Sequence, residues 1–171
     1  MKAFKKVAAI AMATVATVAA FGMAGCQLFA PQEKEDVVKL IDVKLTDEDY
    51  AFVTKKSNTS LIEDFNSFLA TIQENGTFDA LVAKYFEGEG TKVGYAVTTT
   101  DVVNSESNLV VATNCPFEPF EYIGDDGKIY GLDIEIAAAY AESKNLDLVV
   151  KNIGFDDIFT QVEAGYADIG M

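Results

Sequence analysis

The 171-residue sequence contains no histidine, no arginine and no tryptophan, and it has only two cysteines. The lack of histidine and arginine excludes histidine acid–base chemistry, His-ligated metal sites and arginine clamps within these residues. Lysine supplies all 13 basic side chains against 27 acidic residues, for a formal net charge of −14. A nucleic-acid-binding face needs clustered basic residues, so we expect no nucleic-acid partner.

The first 25 residues have the pattern of a secretory signal peptide. Three lysines precede an apolar run over residues 7–24, and small residues then lead to Cys26. A single membrane-spanning helix is the alternative, because the run is just long enough to cross a bilayer. The stretch Met23-Ala24-Gly25-Cys26 resembles a bacterial lipobox, which favours a lipidated Cys26 followed by a tether over residues 26–36. We therefore predict a chain held by lipid on the extracytoplasmic face of the cell membrane.

Removal of residues 1–25 would take away three lysines and no acid, which changes the net charge from −14 to −17. The second cysteine, Cys115, has no histidine partner and is a poor candidate for a nucleophile. We interpret it as a buried free thiol. A disulfide with Cys26 is the alternative if Cys26 is not lipidated.

Residues 37–87 predict a strand followed by two helices. The strand is YAFVTKK, at residues 50–56, where β-branched and aromatic side chains dominate. Ser60 and Glu63 predict a capping box for the first helix, which Asn75-Gly76 ends. Thr77 is expected to cap the second helix, and Gly88 to close it. Apolar residues recur at helical spacing on the first helix: Leu61, Phe65, Phe68, Leu69 and Ile72.

Residues 88–108 predict a linker with one exposed strand, because Gly, Thr, Ser and Asn dominate without a helical period. Residues 109–171 then alternate between strand and helix, which is typical of an α/β fold with a parallel sheet. Gly124-Asp125-Asp126-Gly127 predicts a hairpin turn. If the chain ends at Met171, the strand that starts at YADIGM is expected at or near an open edge of the sheet.

The predicted helices of this second part have candidate caps. Asp133 is expected to cap the helix IEIAAAYAESKN, which Asn145 ends, and Asp156 or Asp157 to cap DIFTQVEAG. Asp125 and Asp126 suggest a calcium loop, but their spacing lacks the other oxygen ligands. We predict no metal and no cofactor. Parallel sheets bind ligands beyond the carboxyl ends of their strands, which here means the loops at 114–120 and 154–157.

Two stretches resemble the opening of a bacterial extracellular solute-binding protein of the polar amino-acid type, the receptor of an ABC importer. They are VVATNCPFEPFEYIGDDGKIYGLDIEIAAAYAE and FDDIFTQVEAGYADIGM. Tyr140 departs from the family pattern, which prefers a small or aliphatic residue there. A third stretch, LTDEDYAFVTKKSNTSLIEDFNSFLATIQENGTFDALVAKYF, resembles the segment that normally closes the chain in this family.

The stretch that normally closes the chain therefore comes first here, and we call it the tail-like segment (37–87). The stretches that normally open the chain follow in the head-like segment (109–171). This order suggests a circular permutation in which residues 88–108 join the two segments. Both segments would belong to lobe 1 of a periplasmic-binding-protein type II-like fold. The second lobe and the arginine that holds the ligand carboxylate in the family are not found before Met171. We expect the head-like segment to be incomplete at its C-terminus.

The resemblance implies ligand-binding roles for three residues. Phe117 and Phe155 match the aromatic pair that sandwiches the ligand side chain, and Asn114 matches a polar residue at the far end of the ligand. The alternative is that these rings fill the core, which we favour for Phe120. Tyr122 is expected to be structural.

The function implied is a lipid-anchored substrate-binding component of an ABC amino-acid importer, which binds a polar amino acid between two lobes and docks on a membrane permease. The alternative is a single-lobe interaction module, or an inactive fragment, that binds no solute. An enzyme is not expected, because no nucleophile–base pair is found.

Overall fold

The computed structural model describes residue 43, residues 49–98 and residues 105–171. The predicted signal peptide, the predicted lipidation site Cys26 and the predicted tether lie outside the described residues, as do positions 99–104 of the predicted linker. Among the residues that are described, no helix combines the length and apolar character needed to span a membrane.

The elements follow the strand and helix order that the sequence predicts. They are β1 (Val53–Thr54), α1 (Thr59–Glu74), α2 (Thr77–Val82) continued by a π-helical turn (Ala83–Glu87), β2 (Asn108–Thr113), β3 (Tyr122–Ile123), β4 (Ile129–Tyr130), α3 (Leu132–Ser143), β5 (Asp147–Asn152), α4 (Phe155–Ala164) and β6 (Ile169–Gly170). The α/β class predicted from the alternation is confirmed.

Four strands form one sheet in the order β1-β6-β2-β5. Strand β2 pairs in parallel with both β5 and β6, whereas β1 pairs antiparallel with β6. Strand β6 therefore lies near an open edge of the sheet, and the two-residue strand β1 separates it from that edge. Strands β3 and β4 form a separate hairpin around the predicted turn at 124–127.

The central strand β2 separates two layers of helices. Val111 faces the larger core, together with residues of α1, α2 and α3. Val110 and Ala112 face the opposite side, where they pack with Ile158 and Val162 of α4. Successive residues of a strand point to opposite faces, so the uninterrupted apolar run of β2 is what a strand covered on both sides requires.

Helix α1 has the apolar face that its spacing predicts. Phe65 and Ile72 are buried, and the other three members of the predicted stripe pack around the same core. The predicted capping box is wrong, because Asn58 is the N-cap and its side chain accepts a hydrogen bond from the Leu61 N–H. Ser60 lies inside the helix and donates its hydroxyl to Asn58 Oδ1 at 3.2 Å. Asn75 ends the helix as predicted.

Glycines, rather than the predicted polar residues, occupy three other N-cap positions. Gly76 precedes α2, Gly131 precedes α3 and Gly154 precedes α4. None of these three helices has a side-chain hydrogen bond from its N-cap residue. The predicted caps Thr77, Asp133, Asp156 and Asp157 lie in the first turns instead. At Gly131 the backbone φ is 147°, and a Cβ there would lie 1.8 Å from the Phe120 carbonyl oxygen, so no larger residue fits.

Residues 93–98 of the predicted linker are extended but not fully exposed. Tyr95 forms an antiparallel bridge with Ile129, and Val97 a parallel bridge with Val150 of β5. Both side chains are partly buried against Ile129 and Val150. Tyr95 and Val97 thus pack on the core, whereas residues 88–93 and 105–107 of the linker are exposed.

The Glu135 carboxylate connects three separate parts of the chain, and we call its surroundings the Glu135 joint. Lys84 Nζ approaches Glu135 Oε2 to 2.5 Å, and the Tyr85 hydroxyl donates to Oε1 at 2.6 Å. The Val93 N–H donates to the same Oε1 at 3.1 Å. Glu135 is 7% exposed, so three donors offset the cost of burying its charge.

Candidate functional site

The candidate site lies where β2 and β5 end. These strands are neighbouring and parallel, so the loops that follow them leave the sheet at the same edge. The first loop carries Asn114 and Phe117, and the second carries Phe155 at the start of α4. The structure thus places the three predicted ligand-binding residues on two adjacent loops.

Hydrogen bonds connect the two loops directly. Asn114 Nδ2 donates to the Ile153 carbonyl at 2.6 Å, and the Ile153 N–H donates to the Thr113 carbonyl at 2.9 Å. The Cys115 N–H donates to the Asn152 side-chain oxygen at 2.9 Å. Asn152 was missed by sequence reasoning, although a polar residue at the end of a buried strand is a usable signal. Asn114 is therefore oriented by the protein, with one amide hydrogen already engaged.

The loop after Asn114 is a tight turn. The Phe117 N–H donates to the Glu121 carbonyl at 2.8 Å, and the Phe120 and Glu121 N–H groups donate back to the Phe117 carbonyl. The peptide bonds before Pro116 and Pro119 are both cis. At the far side, the Asp133 N–H donates to the Phe120 carbonyl at 3.1 Å. The start of α3 thus fixes the loop that presents Phe117.

The rings of Phe117 and Phe155 do not lie in the core. Phe117 is 48% exposed and Phe155 is 61% exposed. Phe117 stacks on Phe120 with centroids 5.2 Å apart and an interplanar angle of 20°, and Phe155 meets Phe159 edge to face. Phe120 is partly buried against the main core, in line with the structural role expected for it. Ligand contact by Asn114, Phe117 and Phe155 stays a prediction.

Two acidic residues beneath the loop, Glu121 and Asp133, form what we call the acid pair. Glu121 is 5% exposed, and its Oε2 and the Thr113 hydroxyl have no well-formed hydrogen bond within the described residues. Burial raises the pKa of Glu121 to about 7, which the nearby Thr113 hydroxyl partly counteracts. Burial, and then the charge of Glu121, raise the pKa of Asp133 to about 7. No local sequence signal pointed to this pair.

Cys115 lies next to the acid pair and is a free thiol of intermediate exposure. Burial, followed by the charge of Glu121, raises its pKa to about 11. A thiol with a raised pKa is protonated at neutral pH and is a weak nucleophile.

Of the two residues considered for a calcium loop, Asp126 makes ordinary turn contacts. Asp126 accepts hydrogen bonds from the Lys128 N–H and the Tyr130 hydroxyl, which closes the β3–β4 hairpin. Within residues 49–98 and 105–171, no cluster of three or more Cys, Asp or Glu side chains is arranged to hold a metal ion.

Comparison with known proteins gives a match over the head-like segment. The family described as "Bacterial extracellular solute-binding proteins, family 3" matches residues 109–171. A "Probable histidine-binding protein" of Neisseria gonorrhoeae is 34% identical over 61 residues, which cover 36% of this chain and 23% of that protein. The "Arginine-binding protein ArgT" of Corynebacterium glutamicum is 36% identical over 62 residues, which cover 36% of this chain and 20% of that protein.

A solved structure gives a similar partial match. The amino acid ABC transporter substrate-binding protein AbpA of Streptococcus pneumoniae, bound to L-arginine, is 38% identical with a TM-score of 0.36. The match covers 38% of this chain and 29% of that chain. This chain therefore spans less than a third of the length of each of these relatives. Residues 109–171 are thus similar to the bacterial extracellular solute-binding proteins of family 3.

Proposed function

We propose that the chain supplies the first lobe of an amino-acid receptor of an ABC importer. The observation that carries the proposal is the position of two exposed aromatic rings, Phe117 and Phe155, on adjacent loops within the segment that matches the family. Large apolar side chains that stay exposed at the carboxyl ends of parallel strands are typical of a ligand site. Asn114 adds a fixed polar group beside them.

Cationic amino acids are the first ligands to test. Relatives are named as arginine-binding and histidine-binding proteins, and one solved relative holds L-arginine. Aromatic faces attract cations, and the net charge of −14 favours a cationic ligand over an anionic one. In the proposed mechanism the ligand side chain lies between the rings of Phe117 and Phe155, and a second lobe closes over it.

The native protein, extracted from its own membranes, provides the test. Its intact mass gives the length of the chain and any lipid on Cys26, and isothermal titration then measures binding of L-arginine, L-histidine and L-glutamine. We expect Phe155→Leu to weaken binding, with Tyr166→Leu as the matched control because Tyr166 is 60% exposed at the other end of α4. A native-length protein that binds no amino acid at millimolar concentration would contradict the proposal and direct the search to protein partners.

Export, lipid anchoring and the permuted order of segments are part of the same proposal. The intact mass is expected to show lipid on the native protein and none on Cys26→Ser, because the thiol that would carry the lipid is lost. A native protein that carries no lipid and retains its N-terminal apolar run would instead support a spanning helix.

A further inference from the structure

Four aromatic side chains form a continuous surface beside the proposed site, which we call the aromatic patch. Its members are Tyr50, Phe86, Phe117 and Phe120. Tyr50 is 60% exposed, Phe86 54% and Phe117 48%. Tyr50 precedes β1 and Phe86 lies in the π-helical turn, so both come from the tail-like segment, whereas Phe117 and Phe120 belong to the loop after β2. Two distant stretches of sequence therefore build one surface.

Phe120 is the centre of the aromatic patch. Its centroid lies 5.2 Å from that of Phe117, 4.8 Å from that of Tyr50 and 5.8 Å from that of Phe86. Tyr50 also reaches Phe117 itself, with centroids 6.2 Å apart and the rings tilted by 50°. Contacts of this kind stabilise a ring in one orientation, by about 0.5–1.5 kcal/mol for each pair. Phe117 is therefore held by one ring from its own loop and one from the tail-like segment.

We infer that Tyr50 is a positioning residue that orients Phe117 for the ligand. The inference rests on the proposed function, in which Phe117 contacts the ligand side chain. An exposed ring on a loop loses rotamer freedom when a ligand packs on it, and a ring that is already oriented loses less. Tyr50 thus increases the affinity of the site through Phe117, and the tail-like segment takes part in binding.

The lack of tryptophan in the chain allows a direct test of orientation without ligand. Phe117→Trp introduces a single tryptophan, whose fluorescence anisotropy and acrylamide quenching report the mobility and exposure of that ring. We expect Tyr50→Leu to lower the anisotropy and increase the quenching, whereas Tyr50→Phe preserves both. Tyr166→Leu is the matched control, because Tyr166 is also 60% exposed but lies between α4 and β6, away from the patch.

Binding supplies the second readout. With Phe117 intact, we expect Tyr50→Leu to weaken L-arginine binding about threefold to tenfold, the range for one side chain that must be newly immobilised. The effect should vanish in the Phe117→Leu background, which a purely structural role of Tyr50 would not cause. If Tyr50→Leu does not fold, Tyr50→Met keeps an unbranched apolar side chain and takes its place.

The two readouts separate the two hypotheses. Unchanged tryptophan anisotropy and quenching in Tyr50→Leu, or changes equal to those of Tyr166→Leu, would overturn the positioning role whether or not ligand binds. A protein that binds no amino acid, but in which Tyr50→Leu frees the tryptophan at 117, would refute the proposed function and leave the orientation of this ring by Tyr50 established.

Discussion

Glu135 and Glu121 are both buried carboxylates, 7% and 5% exposed, but the protein treats them in opposite ways. Glu135 accepts from the Tyr85 hydroxyl and the Val93 N–H, and it pairs with Lys84. Glu121 leaves one oxygen without a well-formed hydrogen bond in the described part of the chain. Three donors surround the first carboxylate, whereas burial raises the pKa of the second to about 7.

The two carboxylates lie in regions that differ in how fully their polar groups are hydrogen-bonded. The Glu135 joint connects the tail-like segment, the linker and α3, so its donors come from residues far apart in sequence. The acid pair lies under the loop that presents Phe117, where hydrogen bonds are incomplete and rings stay exposed. Incomplete satisfaction of polar groups is commonly found at functional sites and is offset elsewhere in the fold.

Removing the Glu135 carboxylate should have the largest effect. Glu135→Ala leaves the Lys84 ammonium, which is 18% exposed, without its partner and deprives two further donors of an acceptor. We expect the free energy of unfolding to fall by about 3–5 kcal/mol, the range for breaking one side of a buried ion pair. Urea denaturation measures it.

Glu142→Ala is the matched control for this prediction, because Glu142 lies on the same helix and is exposed. Its effect should stay within about 0.5 kcal/mol. If the two variants unfold at similar urea concentrations, the Glu135 joint contributes little to the stability of the fold. The proposed difference between the carboxylates of Glu135 and Glu121 would then be wrong.

Neutralising Glu121 should increase the free energy of unfolding at high pH, whereas Glu135→Ala should lower it. Its pKa rises from 4.5 to about 7 on folding, so the folded protein binds this proton more tightly than the unfolded chain does. The resulting stabilisation is fully present below pH 4.5 and is lost as the pH rises through about 7. Glu121→Gln should therefore gain stability relative to the native protein between pH 5 and 8, by about 3 kcal/mol in total.

The measurement is the difference in unfolding free energy between the variant and the native protein at several pH values. Glu118→Gln is the control, because Glu118 lies in the same loop and is exposed. Asp133 titrates with Glu121, so the change in slope belongs to the acid pair as a whole. A difference that does not vary with pH would show that Glu121 is charged in the folded protein.

Local patterns predicted the elements of this fold but not their long-range connections. The apolar period of α1 and the buried run of β2 are properties of neighbouring residues, and both predictions are confirmed. Helix caps were harder to predict from the sequence. Asn58 and Ser60 are both good capping residues, and only the backbone geometry at Asn58 decides between them. The pairing of β6 with β1 was not predicted, because β1 lies more than 100 residues earlier.

Within the candidate site, the sequence predicted the loops and their exposed rings but not the chemistry beneath them. Asn114, Phe117 and Phe155 follow strand ends, which is a local signal. The acid pair depends on the burial of Glu121 and on its distance from Asp133, and neither is encoded in a short motif. The contact of Tyr50 with Phe117 joins residues that no spacing relates.

A second contact between the tail-like and head-like segments should contribute less to the free energy of unfolding than the Glu135 joint does. The Tyr140 hydroxyl of α3 donates to Asp64 of α1 at 2.7 Å. Its ring packs edge to face on Phe65 and Phe68. Tyr140→Phe keeps the ring and removes one hydrogen bond, so we expect a loss of about 1 kcal/mol in urea denaturation.

Tyr130→Phe is the control for that variant, because the Tyr130 hydroxyl donates to the exposed Asp126 in a surface hairpin. A smaller loss is expected there, since water replaces an exposed partner easily. Equal losses for the two variants would mean that the contact between α1 and α3 has no special weight in the stability of the fold.

The smallest effect is expected at Lys144, which shares Asp64 with Tyr140. Lys144 Nζ lies 2.6 Å from Asp64 Oδ1, but the two side chains are 37% and 44% exposed. Exposed ion pairs contribute about 0–1 kcal/mol and are screened by salt. Lys144→Met should therefore lower the melting temperature slightly at low salt and not at about 1 M salt. A large decrease in melting temperature that persists at high salt would show that this exposed pair stabilises the fold as strongly as the Glu135 joint. The difference expected between buried and surface charges would then be wrong.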